Sequence, residues 1–209
     1  MVLSLLTRKS SLIASKIPHT GTHFRYISST TSKLSEALQD SYRDESFLTI
    51  DEEVLEANER CEGIAAIKQT SSLGDGWGVM TSKPFAEGEL ILSSTAIATI
   101  TKDAHSLQKD WDKHVLIDLP ARFINHSCNA NVGLQDNDNG AYDFIALREI
   151  QEGAELFWDY ETTEYDITGF DMCMCGDKRC KGSIGGFHKH GEQIKHHYGK
   201  YYATYLKDA

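Results

Sequence analysis

The stretch CMCGDKRC gathers Cys173, Cys175 and Cys180. This spacing can aim three thiolates at one ion, with Gly176 letting the backbone turn Cys180 back. A tetrahedral zinc needs a fourth ligand. Cys61 and Cys128 are both available, and Cys128 is the better candidate because it lies in RFINHSCNANV (122–132), a segment with other polar groups to offer. A shell closed by four sulfurs serves structure, since a catalytic zinc keeps one position for water. The same ligands would also suit an iron–sulfur cluster. His188, His190, His196 and His197 are further metal-binding side chains, but around a polar helix start they read as solvated.

The elements that must hold these groups follow from the texture of the chain. From Lys33 to Glu59 it is polar and acidic, with Leu34, Leu38 and Tyr42 at helical spacing, which predicts a lead-in helix. After Cys61 come GIAAIKQT (63–70), GELILSSTAIATI (88–100), KHVLID (113–118) and YDFIALREI (142–150). These short runs rich in Ile, Val, Phe and Tyr, parted by Gly, Asp, Asn or Pro, read as strands parted by turns. The expected fold class is mostly β (α+β). In GEQIKHHYGKYYATYLKD (191–208), Ile194, Tyr198, Tyr201 and Tyr205 are spaced by four, three and four, which predicts an amphipathic helix closing the chain. The organisation expected is a leader at 1–35, a helical lead-in at 36–61, a β domain at 62–162, a metal loop at 163–187 and a C-terminal helix at 188–209.

A chain of 209 residues, 40% of them hydrophobic, can bury one good core. Five cysteines at this length do not make a disulfide framework, and no run of 18 apolar residues offers a membrane span, so an internal, reducing compartment is expected. The formal charge of -10 argues against duplex nucleic acid as a direct partner and suits a basic protein. Residues 1–35 differ: Arg8, Lys9, Lys16, Arg25 and Lys33 are basic, no acid appears before Glu36, and Ser and Thr are frequent. MVLSLLTRKSSLIASKI can form a helix with Leu and Ile on one side and cations on the other, and it resembles an organelle transit peptide. Mitochondrion or plastid is the expected location, with nucleus or cytoplasm the alternative.

Four motifs stand in one order: LGDGWGV (73–79), RFINHSCNAN (122–131), ELFWDYE (155–161) and CMCGDKRCKG (173–182). Together they resemble the SET-domain protein-lysine methyltransferases with a post-SET zinc motif, over roughly residues 62–187. The resemblance implies a knotted, mostly β fold, S-adenosyl-L-methionine as methyl donor, and a lysine-containing segment of a protein as substrate. It implies that Gly76, Trp77, Gly78, Asn125, His126 and Tyr160 bind the donor, that Tyr160 is catalytic, and that Cys128, Cys173, Cys175 and Cys180 hold a structural zinc. Glycine suits the first role independently, because main chain without side chains can approach a ligand and present N–H and C=O groups to it.

Methyl transfer from a sulfonium to an amine is an in-line displacement, so the chain must align nucleophile, methyl and sulfur and exclude water. Tyr160 is expected to orient the amine, with Phe157 or Trp158 lining its channel. Two departures from the family pattern stand out: only 46 residues separate Gly78 from Asn125, and Trp158 occupies a position where the family usually has Tyr or Phe. The reading is of a monomeric or weakly associating enzyme without a membrane partner, its oligomeric state not fixed by sequence. The rival is a non-catalytic SET-like interaction module stabilised by zinc. A redox or iron–sulfur protein is a remoter third.

Overall fold

The computed structural model describes residues 50–70, 76–168 and 172–209, all within one unit, Ser46–Ala209. The leader at 1–35, the Leu34, Leu38 and Tyr42 face of the lead-in helix and the first three residues of LGDGWGV lie outside the described residues.

Helix α1 (Ile50–Arg60) has Asp51, Glu52 and Glu53 in its first turn and Arg60 in its last, which complements the helix dipole. Its buried face, Val54 and Ala57, packs toward strand β1 (Ala65–Thr70). Asn58 fastens the two: its Nδ2 donates to the Ile67 carbonyl at 3.1 Å and its Oδ1 accepts the Ile67 N–H at 2.7 Å. Strand β1 pairs antiparallel with β2 (Gly76–Thr81), and Thr70 stands opposite Gly76.

GELILSSTAIATI, expected as one strand segment, is two strands in two sheets. Its first part, β3 (Leu90–Ser93), and its second, β4 (Ala96–Ile100), are parted at Ser94, whose hydroxyl donates to the Tyr142 carbonyl at 2.8 Å. Thr95 N–H then bonds the Asp118 carboxylate at 2.9 Å, so the chain leaves the first sheet and enters the next. Strands β5 (Leu107–Asp110) and β6 (Lys113–Ile117) complete the second sheet in the order β4-β6-β5. Strand β5, LQKD, is too polar and short for the periodicity to reveal.

Two two-residue strands, β7 (Asn125–His126) and β10 (Phe157–Trp158), pair in parallel, while β8 (Val132–Asp136) and β9 (Tyr142–Ala146) form an antiparallel pair that accepts β3. Val79, Val115, Ile117, Leu134, Tyr142, Phe144 and Leu156 are fully buried in the common core. Each such side chain contributes about 1.5–3 kcal/mol by leaving water. The mostly β class is borne out.

The closing helix is shorter than the tyrosine spacing predicts. Helix α2 runs Phe187–Tyr198 with a non-helical residue at His190, and it ends at Gly199, whose φ of 59° favours glycine. The tail turns back instead of continuing, because Ala203 N–H bonds the Thr162 carbonyl at 2.8 Å and a 3₁₀ turn follows at Thr204–Leu206. Tyr201 and Tyr205 therefore lie beyond the helix. Tyr205 donates its hydroxyl to the Thr163 carbonyl at 2.5 Å.

Candidate active site and metal centre

The short β7 and β10 pair is lengthened by further main-chain bonds and then by a side chain. Ser127 N–H bonds the Trp158 carbonyl and Asn131 N–H the Phe157 carbonyl, each at 3.1 Å. The Asn131 amide then clamps the other strand, donating to the Glu155 carbonyl at 2.8 Å and accepting Phe157 N–H at 2.7 Å. Asn125 ties this pair to β2, its Nδ2 donating to the Trp77 carbonyl at 2.8 Å and to Glu155 Oε1 at 3.1 Å. Glu155 Oε2 accepts the Thr70 hydroxyl at 3.0 Å. The same carboxylate fills the space a side chain at Gly78 would need, since a Cβ there would lie 2.4 Å from Glu155 Oε1. A side chain at Gly78 would therefore need the Glu155 carboxylate to move, and Glu155, the first residue of ELFWDYE, joins Gly78 and Asn125 at the candidate site, where the motifs alone did not place it.

Tyr160 is held from three sides. Its ring lies 4.6 Å from that of Trp158 and 5.2 Å, edge-on, from that of His126. Its main-chain N–H bonds His126 Nδ1 at 3.2 Å. Its hydroxyl donates to the Ile124 carbonyl at 3.3 Å, which also accepts Trp158 Nε1–H at 3.2 Å. The indole N–H of Trp158 is thus engaged with backbone, and the ring is buried. Burial pushes the His126 imidazole down to about 4, so it is neutral at physiological pH. With Nδ1 accepting from Tyr160, the ring proton belongs on Nε2, which faces Cys128 Sγ at 3.5 Å. Both ring nitrogens are engaged, so what His126 offers a ligand is its main chain.

Cys128, Cys173, Cys175 and Cys180 come together, their sulfurs all within 4.8 Å of one another. A tetrahedral zinc with Zn–S near 2.3 Å needs sulfurs about 3.8 Å apart. Cys128 and Cys173 stand at 3.6 Å, so the donor set fits. The N–H groups of Lys181 and Gly182 point at Cys128 Sγ and Cys180 Sγ, at 3.4 and 3.3 Å. Burial raises the Cys128 thiol and takes Cys173 to about 12, whereas backbone hydrogen bonds bring Cys175 down to about 7 against the effect of its own burial. Cys61, the other candidate fourth ligand, closes α1 instead and stands outside this group. Among the described residues no histidine joins it, and His190 Nδ1 lies 2.8 Å from Glu161 Oε1.

The metal loop and Tyr160 share a buried ionic network. Lys181, next to Cys180, donates Nζ to Asp159 Oδ2 at 2.7 Å and also to Glu161. Glu161 is fully buried and further accepts the N–H groups of Gly185 and Gly186 at 2.7 and 3.0 Å. Burial alone would raise its carboxyl, but Lys181, His190 and Gly185 outweigh that and hold it below the usual range. The Tyr198 hydroxyl stands 3.1 Å from Asp159 Oδ2 and 3.2 Å from the Cys128 carbonyl. The signal for this network was in the sequence, as acids on both sides of Tyr160 and a lysine directly after Cys180.

Four residues beyond Tyr160, Glu164 fastens the β4-β6-β5 sheet. Its Oε1 accepts Gln108 N–H at 2.5 Å, Tyr165 N–H bonds the Gln108 side chain at 3.0 Å, and His114 Nε2 lies 3.6 Å from its Oε2. Burial pushes the Glu164 carboxyl from 4.5 up to about 7, even though Gln108 N–H and Lys102 favour the anion. A carboxyl raised on folding leaves stability intact below about 4.5 and removes it as the pH climbs to about 7. Glu164→Gln keeps an acceptor for Gln108 N–H and abolishes the ionisation. It is expected to raise unfolding free energy at pH 8 by up to about 3 kcal/mol and to change it little at pH 4.5. Denaturant titrations at the two pH values check this, and an equal effect at both would refute the assignment.

The SET domain family model matches residues 76–161 of this chain. The chain is 32% identical over 131 residues to the histone-lysine N-methyltransferase ash1 of Drosophila melanogaster, covering 53% of this chain and 6% of that protein. It is 30% identical over 152 residues to a histone-lysine N-methyltransferase, H3 lysine-36 specific, of Yarrowia lipolytica, covering 62% of this chain and 20% of that one. The chain thus spans a minor part of these relatives. Among solved structures it is similar to KRYPTONITE in complex with mCHG DNA and SAH, with a TM-score of 0.46 at 20% identity, over 57% of this chain and 28% of that chain.

Proposed function

We propose that this SET domain transfers a methyl group from S-adenosyl-L-methionine to a lysine side chain of a protein substrate. The observation that carries the reading is the convergence of three separate segments: the Trp77 carbonyl meets the Asn125 amide, and Asn125, through the β7 and β10 pairing, stands beside the strand leading into Tyr160. When bound, the donor supplies a methyl group activated by a positive sulfur. Gly76, Trp77 and Gly78 would present main-chain groups to its amino-acid end, and Asn125, whose NH₂ is engaged with Trp77 and Glu155, would have an oxygen left to accept from the donor's ammonium. His126 contributes its main chain. Tyr160 directs the acceptor amine with its hydroxyl, beside Phe157 and Trp158. A lysine of pKa near 10.4 must arrive neutral, and burial beside aromatic rings favours that form. The lysine ammonium would lose its proton to solvent before attack. As the N–CH₃ bond forms and the S–CH₃ bond breaks, the electron pair of the broken bond would stay on sulfur, leaving a neutral thioether, and the positive charge would pass to the methylated nitrogen.

Zinc on Cys128, Cys173, Cys175 and Cys180 completes the proposal as a structural ion, its four thiolates leaving no position for water. The proposed organisation keeps a lead-in at 36–61, the SET domain at 62–162, the metal loop at 163–187 and a C-terminal segment at 188–209. The relatives are named for histone lysines, so histones are the first substrates to try. Purified chain is incubated with labelled donor and either histones or a proteome extract, and the modified side chain is mapped. Label on lysine supports the reading. Label on a small molecule alone, or equal labelling by Tyr160→Phe, overturns it. The short interval between Gly78 and Asn125 favours the rival interaction module, which predicts donor binding without transfer.

The acid-free, basic, hydroxyl-rich composition of residues 1–35 supports import into a mitochondrion or plastid. A fluorescent reporter fused behind these residues is expected in the organelle. A nuclear signal, which the relatives' histone-directed names would suit, would refute import.

A further inference from the structure

The turn between β5 and β6 carries an oddity of residue type. Asp110 pairs with Lys113, so Trp111 and Asp112 form a two-residue hairpin tip, a place where Asn-Gly or Asp-Gly is usual. Trp111 is 53% exposed there. It is nonetheless fixed: its ring meets those of Tyr165 and Tyr205 near-perpendicularly at 5.0 and 5.3 Å, and the Gln108 amide donates to the Asp110 and Trp111 carbonyls at 3.1 and 3.4 Å. Tyr165, itself 37% exposed, lies five residues beyond Tyr160, on the segment that leaves the candidate active site. Exposed acids flank the tip in sequence: Asp110, whose Oδ1 accepts the Trp111 N–H at 2.8 Å, Asp112 directly after Trp111, and Asp166 next to Tyr165. Of the nearby cations, Lys109 is engaged with Asp136 and Lys102 with the Asp166 carbonyl. His188 Nδ1 lies 3.7 Å from Asp166, and Lys113, opposite Asp110 in the hairpin, is exposed.

A half-exposed indole fixed in place by two tyrosines and flanked by acids presents a ring face suited to a cation. The geometry points to a docking surface for a basic stretch of polypeptide, with an arginine or lysine side chain laid on the Trp111 indole and its charge met by Asp110 and Asp112. The chain's formal charge of -10 favours the same partner. That this polypeptide is the methylation substrate rests on the function proposed above; its binding does not.

The test measures binding without donor. The full chain is titrated by fluorescence anisotropy into a labelled peptide of alternating arginine, lysine and serine, and into its citrulline and acetyl-lysine counterpart. The expected result is preference for the basic peptide, weakened about tenfold by Trp111→Ala and largely preserved by Trp111→Phe. Should Trp111→Ala fold poorly, the double variant Asp110→Asn with Asp112→Asn gives a separate reading and is expected to weaken binding by about threefold to tenfold and to lessen its salt dependence. Binding indifferent to these variants, or equal affinity for the neutral peptide, overturns the inference. So does self-association of the chain that Trp111→Ala abolishes, since the occupant would then be a second copy. Trp111-dependent binding in a chain that transfers no methyl group sinks the methyltransferase reading alone. Transfer to a basic peptide with a KM unmoved by Trp111→Ala sinks the docking surface alone.

Discussion

Tyr160→Phe is expected to lower the rate of methyl transfer by roughly a hundredfold or more while leaving donor affinity within about threefold. The substitution is a clean one for this site. The phenyl ring keeps its place against Trp158 and His126, and the main-chain N–H keeps its bond to His126 Nδ1. What disappears is the hydroxyl and its bond to the Ile124 carbonyl at 3.3 Å, and losing such a part-buried bond costs about 1 kcal/mol of stability. A large fall in kcat with an unchanged melting curve would therefore report on the reacting centre and not on folding. Single-turnover transfer with labelled donor, beside calorimetric donor binding, measures both quantities. A variant that transfers at the full rate would remove Tyr160 from the reaction.

The second large effect is on the metal. The chain purified from zinc-replete cells is expected to carry one zinc and no iron by elemental analysis. Cys128→Ser, or a strong chelator, is expected to lower the melting temperature by about 10 °C or more, because a structural site contributes its binding energy to folding. The loss should reach Tyr160, not only the loop. Cys128 is two residues from His126 and faces its Nε2, Tyr198 lies against the Cys128 carbonyl, and Lys181 links the loop to Asp159 and Glu161 on both sides of Tyr160. Transfer and melting temperature should therefore fall together, in contrast to Tyr160→Phe, where only transfer falls. A metal-free chain that melts and transfers as before would show that the four thiols are packing residues.

Local order was open to reading from residue types. The mostly β class and the gathering of three late cysteines with Cys128 follow from spacing, composition and motif order, because pairing periodicity and ligand chemistry leave direct traces in sequence. Strand β5 left no such trace, since its polar LQKD is a strand only because β6 offers it partners. The closing helix was overextended for a similar reason. The spacing of Tyr201 and Tyr205 is helical, but Gly199 and the bond from Ala203 to Thr162 turn the chain back.

The sequence by itself determined which groups could do chemistry: glycines able to yield space, an Asn-His pair, a tyrosine between acids and four thiols. Only the tertiary structure decided what each one touches. It set the Glu155 carboxylate into the space left by Gly78, committed both ring nitrogens of His126 to Tyr160 and Cys128, and placed Lys181 between Asp159 and Glu161. Apart from that of His126 with Cys128, these are contacts between residues far apart in the chain. Their distances depend on how the sheets pack, and no local pattern of residues encodes that.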